Sequence, residues 1–378
     1  MGRLALRGAT LLDPERPEPA VETLLVEGER IADRLPGDAP VGEDWQVVEL
    51  PGRSIAPGFI DLHFHGELFG APVERFPQVL ERDASRMLRG GTTAFLATTV
   101  AWPHERLGAS VSALVDALGN PAPGGAECLG LHLEGPWISA RAPGALDADS
   151  ARAYSAGRDD EIFERAGRAL RMVTLAPELP GATELLDALV RRDVVAALGH
   201  TRAEPEAIDA GVARGLRHVT HLFNAMGPMH HRAPGVPGSV LTRDALSCDL
   251  ICDGHHVHRS MVDLAARALG ERLILISDRV DLPGMEDVPR AEGEPARLPD
   301  GTLAGSQLAL DGAVRNVRRF ASLGACEAVA ACTLRPARLL GMENERGTLR
   351  PGARADLAIL DAAGRAVETW IAGRPQGP

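Results

Sequence analysis

The chain has 378 residues, of which 45% are hydrophobic and 24% charged, a composition that supports a packed core and excludes an intrinsically disordered protein. Its formal net charge of −12 disfavours a non-specific nucleic-acid binder, although it leaves room for local arginine patches. The five cysteines are odd in number and form no CxxC pair, which indicates a reducing, cytoplasmic location rather than a disulfide scaffold.

Short strand-like segments, separated by Pro- and Gly-containing stretches, lie at both ends of the chain. They cover residues 9–12, 23–26, 46–50, 356–360 and 366–371. Strands at both ends and not in the middle predict a small β-sandwich domain formed from both chain termini, residues 1–53 and 346–378. The alternative is that these strands are edge decorations on the main domain.

The middle of the chain, residues 54–345, alternates strand-like and helix-like segments, which predicts an α/β fold with a (β/α)8 TIM-like barrel. A doubly wound open sheet is the competing fold, and it should carry a Gly-rich nucleotide turn after its first strand. Here the first strand runs instead into His63-Phe64-His65. No apolar run approaches the roughly 18 residues of a membrane span. The predicted strands are 55–63, 92–98, 128–134, 172–176, 194–200, 218–222, 248–253 and 273–278, and the helices are 76–89, 107–118, 182–191, 205–214 and 260–269.

Polar residues end several of these strands, where the chemistry of such a barrel lies. His63 and His65 share one face of the first strand, because side chains repeat with a period of two, and two imidazoles can bind one metal ion. A lone HxH motif is a weak signal, but an HxH motif combined with Glu, His and Asp residues at the ends of other strands predicts a metal site. The alternative is a set of hydrogen-bonded core polar groups. The residues of the set are His63, His65, Glu134, His200, His221 and Asp278.

Several longer motifs resemble the amidohydrolase superfamily and, within it, the N-acetylglucosamine-6-phosphate deacetylase family. The resemblance covers essentially the whole chain, and the HLEGPW and HLFNAM runs are specific to the deacetylase branch. The motifs lie at residues 56–66, 91–93, 131–137, 198–201, 220–226, 232–235, 253–257, 303–306 and 347–357.

This resemblance implies a divalent metal ion, one or two per chain, with Zn as the first choice and Fe, Mn or Co as alternatives. Glu134, His200 and His221 would hold the main ion, and His63 and His65 would add a second site that some members of the family lack. Glu134 would bridge in place of the carbamylated lysine used elsewhere in the superfamily, and this chain has no lysine at all. Asp278 would be the general acid/base.

The resemblance also implies a phosphorylated amino-sugar substrate and a homodimer, in which Arg232 reaches into the neighbouring subunit's site. The leading function is the hydrolytic deacetylation of an N-acetyl-hexosamine 6-phosphate. Two alternatives remain open, namely another amidohydrolase that acts on a cyclic amide or an N-acyl amino acid, and a non-catalytic metal-binding sugar-phosphate sensor. The implied substrate-binding residues are Ala145, Asn224, Ala225, Arg232, His256, Leu303, Ala304 and Gly305.

Two positions depart from the family pattern, both on the substrate side. Leu146 stands where the family has a histidine that interacts with the acetyl carbonyl group. Three consequences are possible: a second metal ion interacts with the carbonyl instead, a different acyl group binds, or the activity is lower. Arg279 replaces an alanine after Asp278. Its charge would lower the pKa of that carboxyl if the two side chains are close, or it would point toward an anionic substrate. His132 is expected to make a supporting hydrogen bond, and His218 to be an ordinary surface or core histidine.

Overall fold

A curled parallel sheet of eight strands forms the centre of the computed structural model, which describes residues 2–119, 124–281 and 294–376. Each strand pairs with the next along the chain, and the eighth continues as Arg279–Val280, which pairs in parallel with the first. This arrangement is consistent with the predicted (β/α)8 barrel. The eight parallel strands are Phe59–Gly66, Thr92–Thr99, Glu127–Glu134, Leu170–Leu175, Val195–Leu198, Leu216–Val219, Ser247–Ile251 and Leu273–Ile276.

Helices cover the outside of this sheet, one in each connection between successive strands and three after the last. They bury an amphipathic face, as in Ala182–Arg191, where Leu185 and Leu189 are buried and lie one turn apart. No helix among the described residues is long and apolar enough to cross a membrane. The α-helices are Phe76–Met87, His104–Leu118, Ala156–Ala166, Ala182–Arg191, Pro205–Val212, Gly235–Leu241, Arg259–Leu269, Leu310–Ala321, Ala325–Ala330 and Leu334–Leu339.

The first parallel strand carries a register shift that matters for the site. Its residues Ile60 and Leu62 pack in an apolar layer with residues of the other strands. Between Asp61 and Phe64 the pairing with the second strand shifts, as at a β-bulge. In a regular strand, His63 and His65 would point to the opposite face from Leu62. The shift allows both histidines to face the interior of the curled sheet, above the apolar layer.

A second sheet of nine strands joins strands from both ends of the chain. Ser54–Pro57 pairs antiparallel with Leu357–Leu360 and parallel with Thr10–Leu11, and a separate apolar cluster includes Leu24 and Trp370. The nine strands of this sheet are Arg3–Arg7, Thr10–Leu11, Ala20–Glu27, Arg30–Pro36, Gln46–Glu49, Ser54–Pro57, Leu357–Leu360, Ala366–Ile371 and Arg374–Gln376.

The predicted strand at residues 55–63 is in fact two strands in two sheets, Ser54–Pro57 and Phe59–Gly66. They are separated by Gly58, where a β-carbon would lie 2.1 Å from Thr93 Oγ1. Glycine is therefore required at this crossing point between the two sheets. The apolar run in the sequence is continuous here, so hydrophobicity alone gave no sign of the break.

Candidate metal centre and substrate pocket

The predicted metal-binding side chains come together at the carboxyl ends of the parallel strands. Two groups have ligand atoms within 4.8 Å of one another, and both are buried. Glu134 belongs to both groups, so it lies between two pairs of histidines. The first group is His63, His65 and Glu134, and the second is Glu134, His200 and His221.

Glu134 contacts every histidine of the set through its two carboxylate oxygens. Its Oε1 lies 3.0 Å from His200 Nε2 and 2.9 Å from His221 Nε2. The same oxygen lies 3.4 Å from His63 Nε2, and Oε2 lies 3.3 Å from His65 Nε2. Glu134 is therefore shared by the two groups of residues that could each hold a metal ion.

Hydrogen bonds to the far side of two rings orient their Nε2 atoms into the centre. His65 Nδ1 lies 3.1 Å from the Thr98 carbonyl oxygen, and His200 Nδ1 lies 3.0 Å from the Ala142 carbonyl oxygen. A proton on Nδ1 that is donated to a carbonyl leaves the Nε2 lone pair free for a metal ion. His200 Nε2 faces His221 Nε2 at 3.1 Å, which suits a shared cation.

The electrostatics of the cluster favour bound positive charge. Burial alone raises the pKa of Glu134, but the imidazoles, led by His63, hold it well below its usual range. Burial alone lowers the pKa of His65, yet hydrogen bonds to Asp278 and Glu134 raise it to about 10. The pKa of His221 rises to about 9, against the effect of burial, through its hydrogen bond to Glu134. The carboxylates therefore attract cations, and a divalent metal ion satisfies the same attraction.

Asp278 approaches the same Nε2 atoms of the first histidine pair as Glu134 does. Its Oδ1 is 3.4 Å from both His63 Nε2 and His65 Nε2. Burial alone raises the pKa of Asp278, but His63 and His65 outweigh it and lower the pKa, so that the group is a carboxylate at neutral pH. Because it also lines the pocket, it can exchange a proton with a bound molecule.

Two of the candidate metal-binding residues and Asp278 adopt left-handed backbone conformations that non-glycine residues rarely take. His200 has φ 47°, His221 has φ 32° and Asp278 has φ 46°. Each follows the end of a parallel strand by two residues, so the turn directs its side chain across the mouth of the sheet. Such conformations persist only where the surrounding structure supports them, and they are concentrated at functional sites.

A buried carboxylate that the sequence analysis did not identify supports the turn at His221. Asp249 Oδ1 accepts a hydrogen bond from the His221 backbone N–H, and Asp249 Oδ2 lies 3.0 Å from His218 Nε2. His218 Nδ1 in turn lies 2.8 Å from Ser247 Oγ. His218 is thus a core histidine, as expected, and it helps to hold Asp249. A charged residue within a short strand whose neighbours Cys248, Leu250 and Ile251 are apolar is the signal that could have revealed this position.

A second missed carboxylate, Asp61, joins the first and eighth strands below the site. Its Oδ1 accepts hydrogen bonds from the backbone N–H groups of His63 (3.3 Å) and Ser277 (3.2 Å), while burial raises its pKa to about 6. His132 makes supporting hydrogen bonds, as expected, and its Nδ1 lies 3.1 Å from the Leu62 carbonyl oxygen. Its Nε2 lies 2.7 Å from Thr174 Oγ1, and its ring meets the His63 ring edge-on with centroids 4.7 Å apart.

A cavity of about 240 Å³ opens directly above the metal-binding residues. His256 is oriented toward it by a 2.7 Å hydrogen bond between its Nδ1 and Asp253 Oδ2. Leu146 and Phe69 make part of the wall apolar, so the leucine does occupy a position on the substrate side. The predicted substrate-binding residues that line the cavity are Ala145, Asn224, Ala225, His256, Leu303, Ala304 and Gly305.

Two arginines lie apart from this cavity in the single chain. Arg232 is exposed, does not line the cavity, and has Nη1 2.9 Å from His231 Nε2. The guanidinium of Arg279 is bound to Asp281, with Nε 3.1 Å from Oδ2. Arg279 is therefore directed toward that carboxylate and does not line the cavity.

Comparison with known proteins gives a consistent set of relatives. The amidohydrolase family model matches residues 54–375. The chain is 33% identical to N-acetylgalactosamine-6-phosphate deacetylase of Escherichia coli O157:H7, covering 87% of this chain and 89% of that protein. It is 35% identical to N-acetylglucosamine-6-phosphate deacetylase of Bacillus subtilis, covering 83% of each. A mutant N-acetyl-D-glucosamine-6-phosphate deacetylase of Mycobacterium smegmatis, solved with N-acetyl-D-glucosamine-6-phosphate, superposes with TM-score 0.88 at 28% identity and covers 100% of this chain and 99% of that one.

Proposed function

Because this chain belongs to the amidohydrolase family, we propose that it is a metal-dependent hydrolase that removes the acetyl group from an N-acetyl-hexosamine 6-phosphate, with N-acetylglucosamine 6-phosphate as the first substrate. The observation that carries this proposal is Glu134 between two histidine pairs, with Asp278 facing the same cavity. The products are acetate and an amino sugar phosphate.

The donor set fits a divalent metal ion. Four imidazole nitrogens and the Glu134 carboxylate converge within hydrogen-bonding distances, and nitrogen–oxygen donor sets of this kind suit Zn, Fe, Co or Mn. Glu134, His200 and His221 would hold the main ion, and His63 and His65 would hold a second one with Glu134. A bound metal ion supplies Lewis acidity, which acidifies water and polarises a carbonyl group.

Asp278 is the proton carrier in this proposal. Amide hydrolysis needs a base for the attacking water and an acid for the departing nitrogen, because an amine anion is a poor leaving group. The Asp278 carboxylate, whose pKa is lowered by His63 and His65, accepts the proton from water at Oδ1 and later delivers it to the nitrogen. One residue can perform both steps because it lines the cavity where both atoms would lie.

The domain organisation and the cellular compartment of the protein form a further part of the proposal. We propose that residues 1–53 and 346–378 form a small β-sandwich domain, that residues 54–345 form the catalytic barrel, and that the protein is cytoplasmic. The separate apolar cluster of the mixed sheet, with Leu24 and Trp370, supports the domain assignment. Ile55 also packs in this cluster, so the strand Ser54–Pro57 joins the two proposed domains. The unpaired cysteines are in keeping with a reducing compartment.

The metal content should approach about two ions per chain when the protein is produced with added Zn or Mn. Both histidine pairs contact Glu134, so both can contribute to binding. His63→Asn should reduce the content toward about one, since it removes a nitrogen donor from one group only. Elemental analysis measures this directly. A plateau at one ion that His63→Asn leaves unchanged would remove the second site from the proposal.

Arg232→Ala should lower kcat/KM for phosphorylated substrates by roughly ten- to a hundredfold, the loss of one charge-assisted hydrogen bond. Arg232 does not line the cavity of its own chain, so this effect requires a homodimer in which it reaches the neighbouring site. Kinetics should therefore be accompanied by sedimentation analysis. Unchanged activity of Arg232→Ala would contradict the contact with the substrate, and a fully active monomer would contradict both the contact and the homodimer.

The substrate is tested with metal-loaded protein and a panel of N-acetyl sugars that differ in one feature at a time. N-acetylglucosamine and N-acetylgalactosamine should each be offered with and without the 6-phosphate, and released acetate measured. We expect turnover to depend on the phosphate, with N-acetylglucosamine 6-phosphate preferred. Equal rates with and without phosphate would overturn the substrate class, and a preference for the galactose epimer would correct the sugar.

A further inference from the structure

A second cavity, of about 310 Å³, opens at the opposite end of the parallel sheet from the metal residues. Leu170 and Val195 line it, and they begin the fourth and fifth parallel strands. Arg217, another lining residue, is the second residue of the sixth strand. His200 and His221, in contrast, follow the carboxyl ends of the fifth and sixth strands. The cavity is therefore separate from the candidate metal centre, by the length of a strand.

The charge of this cavity is opposite to that of the whole protein. Among the described residues that line it, Asp193 is the only one with a carboxylate, and the chain as a whole has a net charge of −12. Such a concentration of one sign in a concave surface focuses the electrostatic potential on its interior. The arginines that line it are Arg168, Arg171, Arg192, Arg217 and Arg338.

Most of this positive charge is not neutralised by the protein. Arg192 lies 3.3 Å from Asp160, and Arg171 donates a 2.9 Å hydrogen bond to the Leu340 carbonyl oxygen. Within residues 2–119, 124–281 and 294–376, no carboxylate forms an ion pair with the side chains of Arg168, Arg217 and Arg338. Like charges that share one cavity repel each other, so a bound anion would relieve this repulsion.

We propose that this cavity binds a small metabolite that carries two or more phosphate groups. Each guanidinium presents paired N–H donors that match two phosphate oxygens, and several guanidiniums can share a multivalent anion. The volume lies at the lower end of the range for small-molecule sites. Leu170, Leu339 and Leu340 provide an apolar wall for the sugar or base of such a ligand.

A small ligand is favoured over a large polyanion by the overall charge of the molecule. A net charge of −12 repels nucleic acid and anionic membranes at long range, whereas a small anion experiences mainly the local field of the cavity. This site does not depend on the proposed deacetylase activity. Val195 lines the cavity and lies in the strand that precedes His200, which gives a direct structural connection between the two sites.

Equilibrium dialysis of the metal-loaded protein tests the site, with fructose 1,6-bisphosphate and ADP as separate probes. The comparison is between wild type and Arg217→Gln/Arg338→Gln, because both arginines are exposed and lack described ion-pair partners. Arg165→Gln/Arg191→Gln removes the same charge from exposed positions that do not line the cavity. We expect saturable binding of at least one probe, weakened roughly tenfold or more in the cavity variant and unchanged in the control. The probe that binds more tightly identifies a sugar phosphate or a nucleotide.

Several results would overturn the proposal. They are the absence of saturable binding for both probes, equal affinity in wild type and cavity variant, and displacement of the probe by glucosamine 6-phosphate in direct competition. Binding of RNA or phosphatidylserine vesicles with the same arginine dependence, but of neither small probe, would instead assign the surface to a macromolecule. Metal content measured after dialysis ensures that the probes have not simply removed metal ions from the other site.

Discussion

Asp278→Asn should lower kcat by at least about a hundredfold, the usual scale of general acid/base catalysis. An asparagine keeps the size of the side chain but cannot accept a proton from water and return it to the leaving nitrogen. It should also keep the backbone, because Asp278 has φ 46° and asparagine is among the residues that tolerate this conformation. The measurement is steady-state kinetics with metal content determined on the same samples.

The interpretation of this variant depends on the metal. Asp278 Oδ1 lies close to His63 and His65, so its removal could also weaken the ion held there. Asp244→Asn, at a fully exposed side chain, is the matched control and should behave as wild type. A variant with full metal content and near wild-type turnover would show that another group carries the proton.

Glu134→Gln should cause the largest loss of metal and, with it, nearly all activity. Glu134 is the only residue that belongs to both candidate metal groups among the described residues. A neutral amide has one acceptor oxygen and no charge to offset four neighbouring imidazoles. Metal affinity should therefore fall by more than the 10- to 100-fold typical of losing an outer hydrogen-bond partner. Competition with a chelator of known affinity measures the change.

The control for this variant is Glu184→Gln, an exposed glutamate in the first turn of Ala182–Arg191. It should retain wild-type metal content and kinetics. If Glu134→Gln kept both metal ions at wild-type affinity, Glu134 would not be a bridging ligand. The histidines alone would then have to hold the metal ions.

The sequence predicted most of the parallel sheet because buried strands and amphipathic helices differ in period and length. The helix at Ala182–Arg191 was predicted with the observed ends, and the other four predicted helices differ from the observed ones by a few residues at a terminus. The separation of Ser54–Pro57 from Phe59–Gly66 was not predictable from hydrophobicity, since both strands are apolar. It depends on a close approach between Gly58 and Thr93 that exists only in three dimensions.

The residues of the candidate site were predicted more completely than the buried residues that hold them in position. The metal-binding residues and Asp278 lie at the carboxyl ends of strands or just after them, so their positions in the chain already indicated that they converge. Asp61 and Asp249 act through backbone N–H groups of other residues, and the sequence does not show such contacts, although Asp61 lies within the motif at residues 56–66. Arg232, in contrast, was predicted as a site residue but does not line the cavity of its own chain. It was assigned by resemblance.

The central claim is that this chain hydrolyses the acetamide group of a phosphorylated amino sugar at the Glu134 centre. The most direct test is a time course with N-acetylglucosamine 6-phosphate that follows acetate and free amine together, for metal-loaded, metal-depleted and reconstituted protein. We predict equimolar release of both products, loss of release on depletion, and recovery on reconstitution. Metal-loaded protein that binds this substrate but releases neither product would contradict the account and favour a non-catalytic sensor.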